Sequence, residues 1–289
     1  MPYNGPVIDA FYHPGWGATT ADTFGDQESW RQDPQRARAM RFFDQGGDKP
    51  VRKPATAAES RQELVDNNVE LAIFQASLYY QSTREELDSR ILEHVDIMNQ
   101  FPGQYEHAGT ILPPKQGPAT FWDVMENPRI LEEHKEKYGI RGVHILPSPY
   151  GLAPNDRWFY PLFAKCVELD LFVFTYIGMP GPLWPTHPNY PLHLDDVCLA
   201  FPELTVVGHH IGDPWVGMMT HLAAKHQNLY ICTSAWSPKR YPKELLEFMN
   251  GRWHAQAGAD KVIFGTDYPF INLSMAVTDA ANLHLPQDV

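Results

Sequence analysis

Strand-like and helix-like segments alternate along almost the whole chain of 289 residues. Eight short apolar runs are rich in β-branched and aromatic residues and have the length of buried strands. They lie at 7–13, 69–77, 107–113, 140–147, 171–176, 204–210, 228–234 and 261–267. Helices are predicted between them at about 57–67, 83–99, 118–136, 159–169, 193–200, 216–226 and 242–250. This alternation predicts an α/β protein built as a (β/α)8 barrel, the TIM barrel.

A doubly wound open sheet is the alternative, but it usually carries a Gly-rich phosphate loop after its first strand. Here the first strand runs into Pro14-Gly15 with no such loop, so we expect one closed barrel over residues 1–289. A long insertion follows at about 16–54, rich in charged residues, Gly and Pro, with a short helix predicted at 34–43. Its length is typical of a lid or an oligomer contact, and both interpretations stay open. After the last strand only a helix at about 275–283 remains, so we expect a last helix that is short or truncated.

The composition excludes several classes of function. A formal net charge of −12 opposes binding to nucleic acid and to anionic membranes. The chain has three cysteines without C-x-x-C spacing, no signal peptide at its start and no run of 18 apolar residues. We therefore expect a cytoplasmic enzyme that acts on a small molecule. Aromatic residues predicted on exposed loops, such as Trp158, are typical of interfaces and favour a homo-oligomer.

Ionisable side chains stand where several predicted strands end. The stretch VVGHHIGDPW (206–215) breaks at Gly208 into two histidines, and KVIFGTDYP (261–269) presents Asp267 after a glycine. The first strand ends at His13. Because the carboxyl ends of barrel strands form the functional face, we expect His13, His210 and Asp267 to lie together as catalytic residues. His209 is expected to point the opposite way unless a bulge shifts the strand.

These motifs resemble the amidohydrolase-related family, which includes aminocarboxymuconate-semialdehyde decarboxylase, γ-resorcylate decarboxylase and pyrone-dicarboxylate lactonase. The resemblance covers GMPGP (178–182), FPELTVVGHHIGDPW (201–215), NLYICTSAW (228–236) and the G-T-D-x-P motif around Asp267. It implies a divalent metal held by an H-x-H or E-x-H pair on strand one, by a histidine ending strand five and by the aspartate ending strand eight. It also implies an acid/base histidine ending strand six. By this resemblance His13 and Asp267 are metal-ligand candidates and His210 is the acid/base.

Two positions depart from the family's ligand set. Phe11 stands where the first strand-one ligand is expected, and Tyr176 stands in place of the strand-five histidine. A phenyl ring cannot coordinate an ion, and zinc needs three or four ligands, whereas His13 and Asp267 supply two. We therefore expect a degenerate or absent metal site and predict no cofactor, with a divalent metal such as zinc as the alternative.

Four further residues are candidates for substrate binding. Tyr176 could donate its phenol to a substrate oxygen or fill the barrel, and His144 interrupts the fourth strand as an inward polar group or a satisfied core residue. His187 lies in the Pro-rich loop after strand five, where it could equally belong to a rigid surface cover. Trp215 closes the turn after the histidine pair.

Three functions follow from these residues. The first is a hydrolase of a lactone-like, cyclic or carboxylated substrate, in which Asp267 activates water, His13 and His210 polarise the carbonyl, and Tyr176 stabilises the oxyanion. The alternative is a metal-dependent decarboxylase of an aromatic or unsaturated acid, whose ion is held by His13, Asp267 and His144 or His210. The third is a barrel without catalysis that binds a small molecule.

Overall fold

The structure, a computed structural model, describes residues 3–13, 56–76, 82–114, 123–181, 183–251, 258–268, 270–283 and 285. The insertion expected at 16–54, with its short helix at 34–43, therefore lies outside the part described. Eight parallel strands form one sheet in the order β1 to β8. They are Val7–Tyr12, Val69–Gln75, Tyr105–Thr110, Gly142–Ile145, Phe172–Tyr176, Val206–His209, Leu229–Cys232 and Val262–Ile263.

The first and last strands meet and close the sheet. The Ala10 amide donates to the Phe264 carbonyl at 3.0 Å, and Tyr12 forms a parallel bridge with Tyr268. The predicted TIM barrel is therefore confirmed.

Nine α-helices lie in the part of the chain that the structure describes, and we number them α1 to α9. They are Ala57–Asp66, Arg84–Gln100, Glu126–Tyr138, Pro147–Tyr150, Tyr160–Glu168, His193–Ala200, Val216–Lys225, Lys243–Met249 and Leu273–Ala281. Both α1 and α2 begin with a Thr-x-x-Glu capping box, in which Thr56 or Thr83 bonds the glutamate three residues on. Helix α3 ends at Tyr138 and is followed by the cap residue Gly139, whose φ of 69° suits a residue without a Cβ.

The strands present two apolar faces, as a barrel covered by helices requires. Outward residues such as Val173 and Val206 pack with helix residues such as Phe163 and Leu222 in the main core. Inward residues form a second cluster of Ala10, Phe11, Phe174, Val207 and Cys232. The rings of Phe11 and Phe174 lie 5.9 Å apart although β1 and β5 are not neighbours, so they meet across the interior.

Several predicted boundaries are wrong in detail. Strand β8 has two residues where seven were predicted, and β3 ends at Thr110. Helix α3 begins at Glu126, and residues 115–122 before it are outside the described ranges. Helix α9 begins at Leu273 because Asn272 caps it, its side chain accepting from the Met275 amide. None of the helices described here is both long and apolar enough to cross a membrane.

Candidate active site

The predicted residues His13 and Asp267 lie side by side at the closing edge of the barrel. His13 Nε2 is 3.1 Å from Asp267 Oδ1, and the carboxylate side chain is only 6% exposed. Backbone bonds fix both residues, since the His13 amide donates to the Tyr268 carbonyl and the Asp267 amide donates to the Phe11 carbonyl. The pair can therefore share a proton in a site largely shielded from water.

His210 reaches this edge because the backbone changes direction there. Strand β6 ends at His209, and His210 and Ile211 have left-handed φ values of 66° and 54°. The expectation that His209 faces away from His210 is wrong for this reason. Their ring centroids lie 4.1 Å apart, and both rings contact Phe11 and Tyr176.

Ser234, which sequence reasoning missed, fixes the hydrogen placement on His210. His210 Nδ1 lies 3.0 Å from the Ser234 carbonyl oxygen and 3.1 Å from Ser234 Oγ. Because a carbonyl only accepts, Nδ1 carries the hydrogen and Nε2 keeps a lone pair in the neutral ring. Burial lowers the pKa of His210, and the charge of Asp267 offsets part of this shift. His210 is therefore built to work as a neutral base or acceptor.

We call the carboxyl end of the barrel, lined by His13, His210 and Asp267, the mouth of the barrel. His144 and His209 form a second pair, which is buried below this mouth. Their Nε2 atoms are 2.9 Å apart, and His144 Nδ1 is 2.9 Å from the Ala76 carbonyl oxygen. Burial lowers the pKa of His144 to about 3 and that of His209 well below its ordinary value, so both rings stay neutral. Both nitrogens of His144 thus already have contacts, which matches the second of its two interpretations, a satisfied core residue, and substrate binding by His144 stays a prediction.

Phe11 occupies the centre of this group of rings. Its ring stacks on His209 at 4.6 Å between centroids and meets the edges of His13, His144 and His210 at 5.4, 5.4 and 5.6 Å. Phe11 is 2% exposed, so the mouth rests on an apolar floor.

The donor set does not fit a complete metal centre. His13 and Asp267 supply two ligands, while Phe11 has no donor atom and His144 uses both nitrogens elsewhere. His210 keeps a lone pair on Nε2 but is not arranged with the other two to hold an ion. Within the ranges that the structure describes, no three His, Cys, Asp or Glu residues are arranged to hold an ion. Zinc needs at least three protein ligands, so the two candidates alone would bind it weakly.

Tyr176 serves the loop after β5. Its hydroxyl accepts from the Gly181 amide at 3.2 Å and lies 3.5 Å from the Met179 carbonyl oxygen. Its ring contacts His209 and His210 at 4.8 and 4.4 Å between centroids. The side chain is thus a wall of the mouth, and its hydroxyl orders residues 178–181.

Of the other two predicted substrate residues, His187 lies farther along the loop after β5, whereas Trp215 lies in the turn between β6 and α7. His187 is exposed and its ring contacts His193 at 5.3 Å. Trp215 is half-buried and meets the edge of Tyr190 at 5.0 Å. The rings that they contact, His193 and Tyr190, lie at the end of the segment that follows β5. Substrate binding by His187 and Trp215 stays a prediction.

Comparisons with known proteins agree with this architecture. A family model described as Amidohydrolase matches residues 106–289, well over half of the chain. No curated protein sequence matches. An uncharacterised TIM-barrel protein from Bordetella bronchiseptica is similar over 98% of this chain and 93% of its own, with 22% identity and a TM-score of 0.73.

Two similar structures have described activities. For 5-carboxyvanillate decarboxylase from Sphingomonas paucimobilis the identity is 17%, the coverage 99% and 95%, and the TM-score 0.66. For a dihydroxybenzoic acid decarboxylase from Polaromonas, solved with manganese and 2-nitroresorcinol, the identity is 13%, the coverage 99% and 93%, and the TM-score 0.68. At these identities the likeness shows a shared fold.

Proposed function

Because the chain belongs to the amidohydrolase family, we propose that it is a decarboxylase of a small aromatic or unsaturated carboxylic acid. The observation that carries the proposal is the His13–Asp267 pair, 3.1 Å apart, beside the apolar ring of Phe11. Two similar structures, described as decarboxylases of 5-carboxyvanillate and dihydroxybenzoic acid, support this reaction above hydrolysis.

Decarboxylation of such an acid needs a proton donor at the carbon that bears the carboxylate. The His13–Asp267 pair gives its proton to that carbon, and a new C–H bond forms. The C–C bond then breaks, its electron pair returns to the unsaturated system, and carbon dioxide leaves uncharged. The pair regains its proton from solvent, so the net reaction consumes one carboxylate and one proton.

The surroundings of the pair favour this charge movement. The substrate's negative charge is concentrated on the carboxylate at the start and dispersed as carbon dioxide forms. A dry site therefore stabilises the transition state relative to the bound acid. Phe11 supplies an apolar floor, and His144 and His209 are held neutral, so they add no positive charge that would stabilise the starting carboxylate.

Hydrolysis of a lactone-like substrate is the second candidate, because the same pair could take a proton from water and His210 Nε2 could accept another. Tyr176 weighs against it. The hydroxyl that was expected to stabilise an oxyanion is bonded to backbone atoms of residues 179 and 181.

Manganese is present in the structure of the dihydroxybenzoic acid decarboxylase. In this chain Phe11 and Tyr176 stand at two positions where the family resemblance implies ligands. We therefore assign the proton transfer to the chain's own residues.

Product analysis tests the proposal. Purified protein, dialysed against a chelator, is offered hydroxybenzoates, unsaturated acids and lactones with labelled carboxyl carbons. We expect labelled carbon dioxide and, in D2O, one deuterium at the carbon that lost the carboxylate. Incorporation of 18O from water into an acid product without carbon dioxide would instead identify a hydrolase. Binding without either product, also after manganese or zinc has been added back, would identify a non-catalytic barrel.

A further inference from the structure

Asp9 is a buried carboxyl on β1 that the proposed reaction does not use. It is wholly buried, and both carboxyl oxygens accept hydrogen bonds from donors of the chain. Oδ1 accepts from the Phe11 amide at 3.1 Å and from the Thr266 amide at 2.9 Å, and Oδ2 accepts from Thr266 Oγ1 at 2.5 Å. One carboxyl thus ties β1 to the residue before Asp267.

Thr266 links Asp9 to Tyr268, the residue that follows Asp267. Thr266 Oγ1 donates to Asp9 and accepts from the Tyr268 amide at 3.1 Å. The Asp267 amide itself donates to the Phe11 carbonyl at 2.8 Å. Residues 266, 267 and 268 are therefore all attached to β1, directly or through one hydroxyl.

Asp267 needs such support because its backbone conformation is unfavourable. Its φ is +58°, in the left-handed region that residues with a Cβ rarely adopt. A conformation of this kind persists when the surrounding bonds determine it, and at a functional site it sets the direction of a side chain. Here it accompanies the 3.1 Å contact between the Asp267 carboxylate and His13.

We propose that Asp9, through Thr266, is a positioning residue that holds Asp267 in the left-handed conformation and so aims its carboxylate at His13. This inference rests on the proposed function in taking Asp267 to be catalytic. Asp9 itself does not touch the substrate. Its effect is on the geometry of the proton donor, and misplacement of a catalytic group by about 1 Å costs roughly 10²-fold in rate.

Two pairs of variants test this inference in the full-length protein. Asp9→Leu keeps the approximate size and removes every acceptor, whereas Asp9→Asn keeps one oxygen for the two amides. Thr266→Val removes the hydroxyl and keeps the shape, whereas Thr266→Ser keeps the hydroxyl. If Asp9→Leu does not fold, the threonine pair alone decides the question.

We expect Asp9→Leu and Thr266→Val to lower kcat by about 10²-fold per folded molecule, with KM changed less than about threefold. Asp9→Asn should retain activity within about tenfold, and Thr266→Ser should be close to wild type. A merely structural role would lower the melting temperature and leave kcat of the folded fraction unchanged. That result in both the leucine and the valine variant would overturn the proposal.

A crystal structure of Thr266→Val keeps this test separate from that of the proposed function. If the wild type decarboxylates none of the acids offered, the proposed function fails, yet the position of Asp267 can still be measured. Departure of its φ from the left-handed region, with loss of the His13 contact, supports the role of Asp9. An unchanged Asp267 overturns it.

Discussion

His144 and His209 meet Nε2 to Nε2 at 2.9 Å inside the barrel, and one backbone carbonyl decides which ring donates. The Ala76 oxygen can only accept, so His144 carries its hydrogen on Nδ1 and accepts at Nε2. His209 must then donate from Nε2. Its Nδ1 then carries only a lone pair, which has no hydrogen-bond partner in the described part of the chain.

This geometry predicts two different neutral tautomers that persist between pH 5 and 8, because burial lowers the pKa of both rings. Nitrogen-15 NMR of histidine-labelled protein should show a hydrogen on Nδ1 of His144 and on Nε2 of His209. His144→Gln and His209→Gln assign the signals. A protonated ring, or the same tautomer at both positions, would contradict this assignment of the hydrogens.

Asp267→Asn should lower kcat by about 10² to 10⁴-fold while the fold persists, because the amide keeps the size and one acceptor but cannot exchange a proton near neutral pH. Steady-state kinetics and thermal melting check this. Asp260→Asn makes the same change at an exposed residue of the turn before β8, to which the proposal gives no role, and is the matched control. If the melting temperature of Asp267→Asn falls while its specific activity is kept, the residue is a structural cap.

Restoring the family's ligand types should create a metal site. We expect Phe11→His with Tyr176→His to bind manganese or zinc, because it adds two imidazoles to His13 and Asp267, at a cost of about 1–3 kcal/mol for polar groups placed in the interior. Elemental analysis after dialysis measures the gain. Tyr176→Phe controls for loss of the phenol. A stoichiometric ion retained by the wild type would instead mean that the ligand set inferred here is incomplete.

The stability of the protein should depend on pH through Asp9. Burial raises the pKa of its carboxyl from 3.8 to about 7, although bonds from Thr266 and Phe11 lower it. Between about pH 4 and 7 the folded state therefore holds a proton that the unfolded state has lost, and in this protonated form Oδ2 donates to Thr266 Oγ1 instead of accepting from it. Stability falls as pH rises through this window. At about 1.4 kcal/mol per pKa unit the loss has an upper limit of roughly 4 kcal/mol.

Urea unfolding at pH 5 and pH 8 measures this effect when wild type is compared with Asp9→Asn, which cannot titrate. The stability difference between the two proteins should shift against the wild type at the higher pH. The contributions of other titrating groups to the pH dependence of stability are the same in both proteins and cancel in that comparison. A difference that stays constant, or that moves in favour of the wild type, would show that the carboxyl does not hold its proton.

The sequence predicted the barrel because hydrophobic periodicity and glycine breaks are local signals that every strand and helix repeats. The same signals placed His13 and Asp267 at strand ends. They could not reveal that the rings of His209 and His210 are in contact, because strand alternation does not predict the left-handed backbone conformation of His210. Likewise, nothing local shows that the Tyr176 hydroxyl bonds residues 179 and 181.

Strand β8 shows a further limit of local reasoning. Seven residues have strand character, but the ladder holds only Val262 and Ile263. Beyond them the chain is held to β1 by Ala10, Phe11 and Asp9, whose contacts come from the far end of the sequence. Isolated backbone bonds and the Asp9 carboxyl therefore take the place of a regular ladder where the sheet closes.

The bond between Asp9 and Thr266 joins residues 257 positions apart. Contacts of such separation carry the largest chain-closure cost and form late in folding. During synthesis His13 leaves the ribosome early, and its contact with Asp267 can form only after nearly all of the remaining chain has been made. An incomplete chain thus carries half of the proton-sharing pair, and the proposed reaction can begin only when the last strand has been made.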